Sequence, residues 1–130
     1  MKALSLTQPW ATLVASGRKK VETRSWNTRY RGPLYIHAAK GFPPVAREFA
    51  SVEHTLGRLP GRIPGGALIA VVELVEILRT EEIAPSLSAL ERLYGDYSVG
   101  RYAWRLENVR ELPEPIPYRG ALGLFEVRLP

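Results

Sequence analysis

The sequence predicts an α+β, mostly β fold: a curled sheet of about six mixed or antiparallel strands with short helices inserted between them. Three observations predict it. Six short segments are rich in apolar and β-branched residues and are separated by Gly- or Pro-bearing stretches. Helical periodicity is confined to short stretches. The alternation of strand and helix also stops after the first half, which disfavours a doubly wound parallel sheet and favours a small barrel-type sheet.

The elements follow in order. Leu4-Ser5-Leu6 reads as a strand that runs into Thr7-Gln8-Pro9-Trp10. Thr7 or Gln8 is placed to cap a helix, and Pro9 suits its first turn. Trp10, Leu13, Val14 and Gly17 recur at the spacing of one helical face, and Gly17 suits a left-handed cap. The start of this helix is an expected anion site. A β-prone segment follows through Trp26. Pro33–Ala38 is the next strand, with Leu34, Ile36 and Ala38 opposite Tyr35 and His37. His37 reads as a satisfied or exposed strand histidine.

Pro43-Pro44 opens a helix through about residue 54, with Val45, Phe49, Val52 and Leu56 on its apolar side. Residues 57–66 read as a loop. Residues 67–78 form the most apolar segment and read as a long central strand. Glu73 and Glu76 are three apart, so a bulge is expected near them. Residues 81–94 hold a short helix capped by Ser86 or Ser88, and Tyr94–Tyr97 is a turn. Arg101–Val109 alternates as a strand. Pro113, Pro115 and Pro117 mark an extended connector, and Gly120–Leu129 is the last strand.

The segment Gly17–Trp26 carries most of the functional information. On a strand, Glu22, Arg24 and Trp26 share one face, with Lys19 at its entrance. A carboxylate, a guanidinium and an indole together are costly to bury without partners and suit the lining of a polar cleft. The same pattern also fits a solvated edge strand with a surface ion pair. Trp10 fits either the cleft wall or the core.

The chain has 130 residues, no Cys and two His. That length fits a single domain, 1–130, with one core. The composition offers no disulfide or thiolate site, and no metal or cofactor is implied. No apolar run reaches membrane-spanning length, and the N-terminus lacks a signal-peptide pattern, so a cytoplasmic protein is expected. The net charge of +5 is unevenly spread. Residues 1–40 hold eight basic residues and one acid, while residues 41–130 hold ten Arg and twelve acids. The surplus predicts a basic face towards a polyanion.

Three stretches resemble the ASCH (activating signal cointegrator homology) domain family: Leu4–Leu13 with its Gln8-Pro9-Trp10, Gly17-x-Lys19-x-Val21-Glu22-x-Arg24-Ser25-Trp26-x-Thr28, and Arg31-Gly32-x-Leu34-x-Ile36. Weaker likeness continues in residues 66–75, Tyr102-Ala103-Trp104 and residues 120–127. The resemblance implies a PUA-like small β-barrel with the Lys-Glu-Arg pattern lining a cleft beside the first helix. It also implies binding of nucleic acid. One bacterial branch of the family hydrolyses N4-acetylcytidine with a Lys, a Thr and a Glu. Its Lys corresponds to Lys19, but its Thr corresponds to Glu22, and Thr23 lies on the opposite face of the strand.

The resulting expectation is a module for RNA or single-stranded nucleic acid, with a nucleoside as a further possible ligand. Its expected contact set is Gln8, Trp10, Lys19, Lys20, Glu22, Arg24, Trp26, Arg31, Lys40, Tyr102 and Trp104. The aromatic residues are candidates for stacking, and the polar ones for base edges and phosphates. Two alternatives remain: a hydrolase of a modified nucleoside or of RNA using Lys19 and Glu22, and a coactivator-type protein-interaction module.

Overall fold

The computed structural model describes residues 1–130. Six strands form one mixed sheet: β1 Lys2–Leu6, β2 Val21–Arg24, β3 Gly32–Ala38, β4 Ala67–Arg79, β5 Tyr102–Pro117 and β6 Leu124–Glu126. Their spatial order is β2-β5-β4-β3-β1-β6. β1 and β3 are parallel, and the other neighbours are antiparallel. The sheet curls into a half-barrel with β2 and β6 at its edges. The expected fold class is therefore the one observed.

The helices are short: α1 Trp10–Ala15, α2 Pro44–Thr55, α3 Thr80–Ile83 and α4 Ala89–Leu93, with a 3-10 turn at Ala84–Ser86 between the last two. Helix α1 is buried on all sides, because Ala11 to Ala15 are each buried. Ala11, Val14 and Ala15 join the main core with Leu4, Leu34, Ile36, Val72, Leu74 and Trp104. Leu13 faces the other way, into a cluster with Ala50, Leu59 and Tyr94. Gly17 ends the helix at φ +80°, the left-handed conformation its position requires. The amides of Arg18 and Lys19 both donate to the Leu13 carbonyl, at 2.9 Å each. This closure turns Lys19 inward.

β4 is the long central strand that the apolar run predicts. Its register against β5 shifts between Val71 and Glu73 and again between Leu74 and Glu76, where the spacing of the two glutamates called for a bulge. His37 is buried and satisfied. Its Nε2 lies 2.7 Å from the Tyr118 carbonyl, so Nε2–H donates there. Nδ1 is then the acceptor for the Ser5 hydroxyl at 2.9 Å.

Three elements differ from expectation. Helix α2 is rotated: Ala46, Ala50 and Glu53 face inward, while Val45, Val52 and Leu56 are 77%, 53% and 55% exposed. The inward face carries two small residues and a carboxylate, and Ala50 meets Leu13 of α1 there. The short helix expected within residues 81–94 is present as α4, capped by Ser88 accepting from the Glu91 amide, and α3 and the 3-10 turn precede it. β5 runs through its prolines to Pro117. Between the pairs Ala70–Glu111 and Leu68–Ile116 the register jumps, so Pro113 and Pro115 fall where β4 asks for no N–H. The last strand is only three residues long, because its pairing with β1 is confined to Lys2–Leu4.

These placements make two substitutions informative. Trp104→Ala removes a fully buried side chain and is expected to cost about 3–5 kcal/mol in urea unfolding. Val52→Ser, on the face that periodicity alone assigns to the core, should change stability by no more than about 0.5 kcal/mol. A large loss at Val52 would contradict the observed rotation of α2.

Candidate functional site

A cleft of about 640 Å³ opens where β1 meets α1 and β2. β2 supplies Glu22, Thr23 and Arg24, and the bend that follows it supplies Ser25 and Trp26. The β1–α1 junction supplies Leu6, Thr7 and Trp10. The facing wall comes from Pro43, Val45 and Ala46 at the start of α2, from Leu93–Asp96 at the end of α4, and from Arg101. Residues from both faces of β2 line it, because β2 is an edge strand and the cleft runs around its free side.

An ionic cluster lies at its base. Glu22 Oε1 is 3.4 Å from Lys19 Nζ, and Glu22 Oε2 is 3.0 Å from Arg24 Nη2. Arg24 Nη2 also donates to the Ser5 carbonyl at 2.8 Å. Lys19 Nζ donates to the Val21 carbonyl and is fully buried behind Glu22. Glu22 and Arg24 reach the cleft, whereas Lys19 is not part of its wall.

Trp10 and Trp26 are half-buried and line the cleft. Trp10 leans on Phe49, with centroids 5.3 Å apart. Trp26 stands edge-on to Trp104 at 4.9 Å and 82°. Trp104 itself is fully buried and presents no face to a base. Tyr102 lies under the Arg79 guanidinium, 5.0 Å from its ring centre, outside the cleft wall.

The polar residues divide similarly. Gln8 is buried and spent on α1: Oε1 accepts from the Thr12 amide at 3.0 Å, and Nε2 donates to Thr12 Oγ1 at 2.7 Å and to the Pro64 carbonyl at 2.8 Å. Lys20 is exposed but outside the cleft wall. Arg31 is exposed and donates to the Thr28 and Tyr30 carbonyls. Lys40 lines a separate cavity. The start of α1 is not an open anion site. The amides of Ala11, Thr12 and Leu13 already donate to the Thr7 carbonyl, Gln8 Oε1 and the Pro9 carbonyl.

Residues 4–116 match the family model of the ASCH domain. The chain belongs to the ASCH family. It is 31% identical over 124 residues to activating signal cointegrator 1 of Mus musculus and 30% identical to that of Homo sapiens. Each alignment covers 90% of this chain but only 20% of the relative, so the chain spans about one fifth of their length. Among solved structures it resembles the ASCH protein of Zymomonas mobilis. A point mutant of that protein superposes with a TM-score of 0.62 at 18% identity, over 98% of this chain and 89% of the other. The unmutated form gives 0.61 at 17%, over 98% and 87%. At such identity the likeness concerns the fold.

The facing wall of this ASCH domain depends on a buried network that sequence reasoning missed. Glu53 accepts from Arg58 Nε at 3.0 Å and Nη2 at 2.7 Å, and from the Tyr94 hydroxyl. It ties α2, the 57–66 loop and the end of α4 together behind the cleft. The only signal for it was a Glu on the inward face of α2, which the apolar stripe concealed. Arg58 holds the Glu53 carboxyl below its ordinary 4.5, against the opposing effect of burial and with help from Tyr94. Burial first, and then Glu53, push the Tyr94 hydroxyl up to about 12. Across the same wall Thr23 Oγ1 accepts from the Asp96 amide at 3.0 Å. A Cβ on Gly95 would lie 2.9 Å from Tyr97 and 3.1 Å from Thr23, so only Gly permits this approach.

A depressed carboxyl stabilises the fold above the unfolded-state pKa and loses that contribution as pH falls through the folded value. Unfolding free energy should therefore decline as pH drops below about 4.5. Glu53→Gln should be less stable at neutral pH yet show a flatter acid decline. Asp96 and Glu126 are also held low, so the slope should shrink but not vanish. An unchanged acid slope in Glu53→Gln, followed by urea unfolding from pH 7 to pH 3, would remove Glu53 as its source.

Proposed function

We propose that this domain binds single-stranded nucleic acid, RNA foremost, by taking one unstacked base into the cleft. The carrying observation is the Glu22–Arg24 pair at the base of a 640 Å³ cleft flanked by two half-exposed indoles. The volume falls in the range of small-molecule sites, roughly 300–1,000 Å³. A carboxylate accepts from exocyclic amines, a guanidinium donates to ring nitrogens and carbonyls, and an indole face stacks on any base. Lys19 from behind and Arg24 from the side orient the carboxylate. Family membership supports the same reading.

A hydrolytic reading draws on the 3.4 Å separation of Lys19 and Glu22. Against it, both partners of Lys19 Nζ are acceptors, and the amine lies behind the cleft wall. Glu22 also stands where the N4-acetylcytidine hydrolases carry Thr. Purified protein is therefore expected to show no N4-acetylcytidine turnover approaching about 1 s⁻¹. Such turnover, abolished by Lys19→Ala, would replace the binding reading with the enzymatic one.

Binding has its own test. Fluorescence anisotropy with single-stranded RNA should give weak affinity that falls with salt, with a log–log slope of roughly −2 for about three phosphates. Trp26→Ala should weaken binding about tenfold, in line with stacking worth ~1–3 kcal/mol per base, while the protein remains folded. Absence of binding at low salt, or a Trp26→Ala protein that is folded and binds normally, would overturn the cleft assignment.

A further inference from the structure

A second cavity, of about 810 Å³, adjoins the cleft. Ser5, Thr7 and Arg24 belong to the walls of both, so the two hollows meet across the Arg24 side chain. The second cavity carries formal charge of one sign only. Its wall holds Arg24, Lys40 and Arg119 and no Asp or Glu. Lys40 and Arg119 are exposed, and neither takes part in an ion pair.

The cavity has a fixed floor. His37 is held by Ser5 and by the Tyr118 carbonyl. Gly120 lies directly over it: a Cβ there would be 2.7 Å from His37 Cε1 and 3.3 Å from Ser5 Oγ. The strap 118–123 is anchored where the Tyr118 amide donates to the Gly66 carbonyl at 3.1 Å. Beyond that anchor, the amides of residues 119–123 donate to no acceptor within the protein.

Arg24 supplies an independent sign that an acceptor fits here. Its Nη2 is committed to Glu22 and the Ser5 carbonyl. Its Nε is buried and has no partner. Buried N–H groups are nearly always paired, so an orphan at the junction of two cavities calls for an acceptor brought by water or ligand. Lys and Arg side chains with no compensating acid are the groups that neutralise phosphate.

We propose that this second cavity is a phosphate subsite, taking the phosphodiester next to the base held in the cleft. Arg24 then serves both hollows: it faces the base on one side and the backbone on the other. Identifying the anion as an RNA phosphodiester rests on the base-cleft reading; the cationic cavity itself does not.

The test compares the parent protein with a Lys40→Ala/Arg119→Ala double variant, both exposed positions. One probe is a fluorescein-labelled 12-nucleotide single-stranded RNA of mixed sequence, titrated across salt concentrations. The other is inorganic pyrophosphate, followed by amide chemical shifts. The double variant is expected to bind RNA about tenfold more weakly, with the log–log slope reduced by about 1.4 for two lost phosphate contacts. Pyrophosphate should shift the amides of Lys40, Gly120 and Gly123 in the parent and not in the variant. A double variant that matches the parent in RNA affinity and slope overturns the subsite and leaves the base cleft standing. A parent that binds pyrophosphate there but no RNA overturns the phosphodiester assignment together with the base-cleft reading, and makes the cavity a free-phosphate site. A parent that binds neither overturns both.

Discussion

The half-barrel is held shut by one chain of charged contacts, from Lys19 through Glu22 to Arg24 and the Ser5 carbonyl. β2 and β1 lie far apart in the sheet order, with β5, β4 and β3 between them. β2 is four residues long and pairs only with β5. The 2.8 Å bond from Arg24 Nη2 to Ser5 crosses the open side and ties the two strands together. Lys19 is fully buried, and removing an ammonium from water costs several kcal/mol even after relaxation. The Val21 carbonyl and the Glu22 carboxylate offset that cost. Such a cluster adds little net stability against an apolar replacement. It does specify which edge closes on which, and it leaves Glu22 and Arg24 facing the opening they create.

The rest of the cleft depends on α1 being buried all round. Its Ala11, Val14 and Ala15 side fills the half-barrel, and its Leu13 side receives Ala50, Leu59 and Tyr94. The wall opposite β2 therefore packs on the same helix whose end positions Lys19. Gln8 contributes by capping α1 and holding the Pro64 carbonyl, which brings the loop before β4 against the helix start. The cleft is the gap left between two layers that share one helix.

What could be read from the sequence was periodicity. The period of two places Glu22 and Arg24 of β2 on one face, and the register agrees by pairing Glu22 with Trp104 and Arg24 with Tyr102, whereas the strand ends before Trp26. Periodicity does not say what covers a face. Trp26 and Trp104 stand edge-on to one another, yet Trp26 borders the cleft and Trp104 lies within the core. On α2 the larger apolar residues formed the more visible stripe, while the face that is buried carries Ala46, Ala50 and Glu53. Polar residues were ambiguous for a related reason. Nothing in the local sequence separates a glutamine that caps a helix from one that contacts a ligand, or identifies Tyr94 as the partner of Glu53 forty-one residues earlier.

Folding compensates part of the chain's charge asymmetry. Of the eight cations in residues 1–40, Lys2 pairs with Glu126, and Lys19 and Arg24 share Glu22. Arg31 donates to two nearby carbonyls. Arg119, from the acid-rich remainder, joins Lys40 in one cavity instead. The potential that a ligand meets is thus local, set by a few uncompensated cations beside the Arg24 divide and not by net charge. A groove of this kind suits a ligand with a small number of phosphates next to a planar group. Stacking and the Glu22–Arg24 pair then account for selectivity, and the cations for the salt-dependent part of affinity.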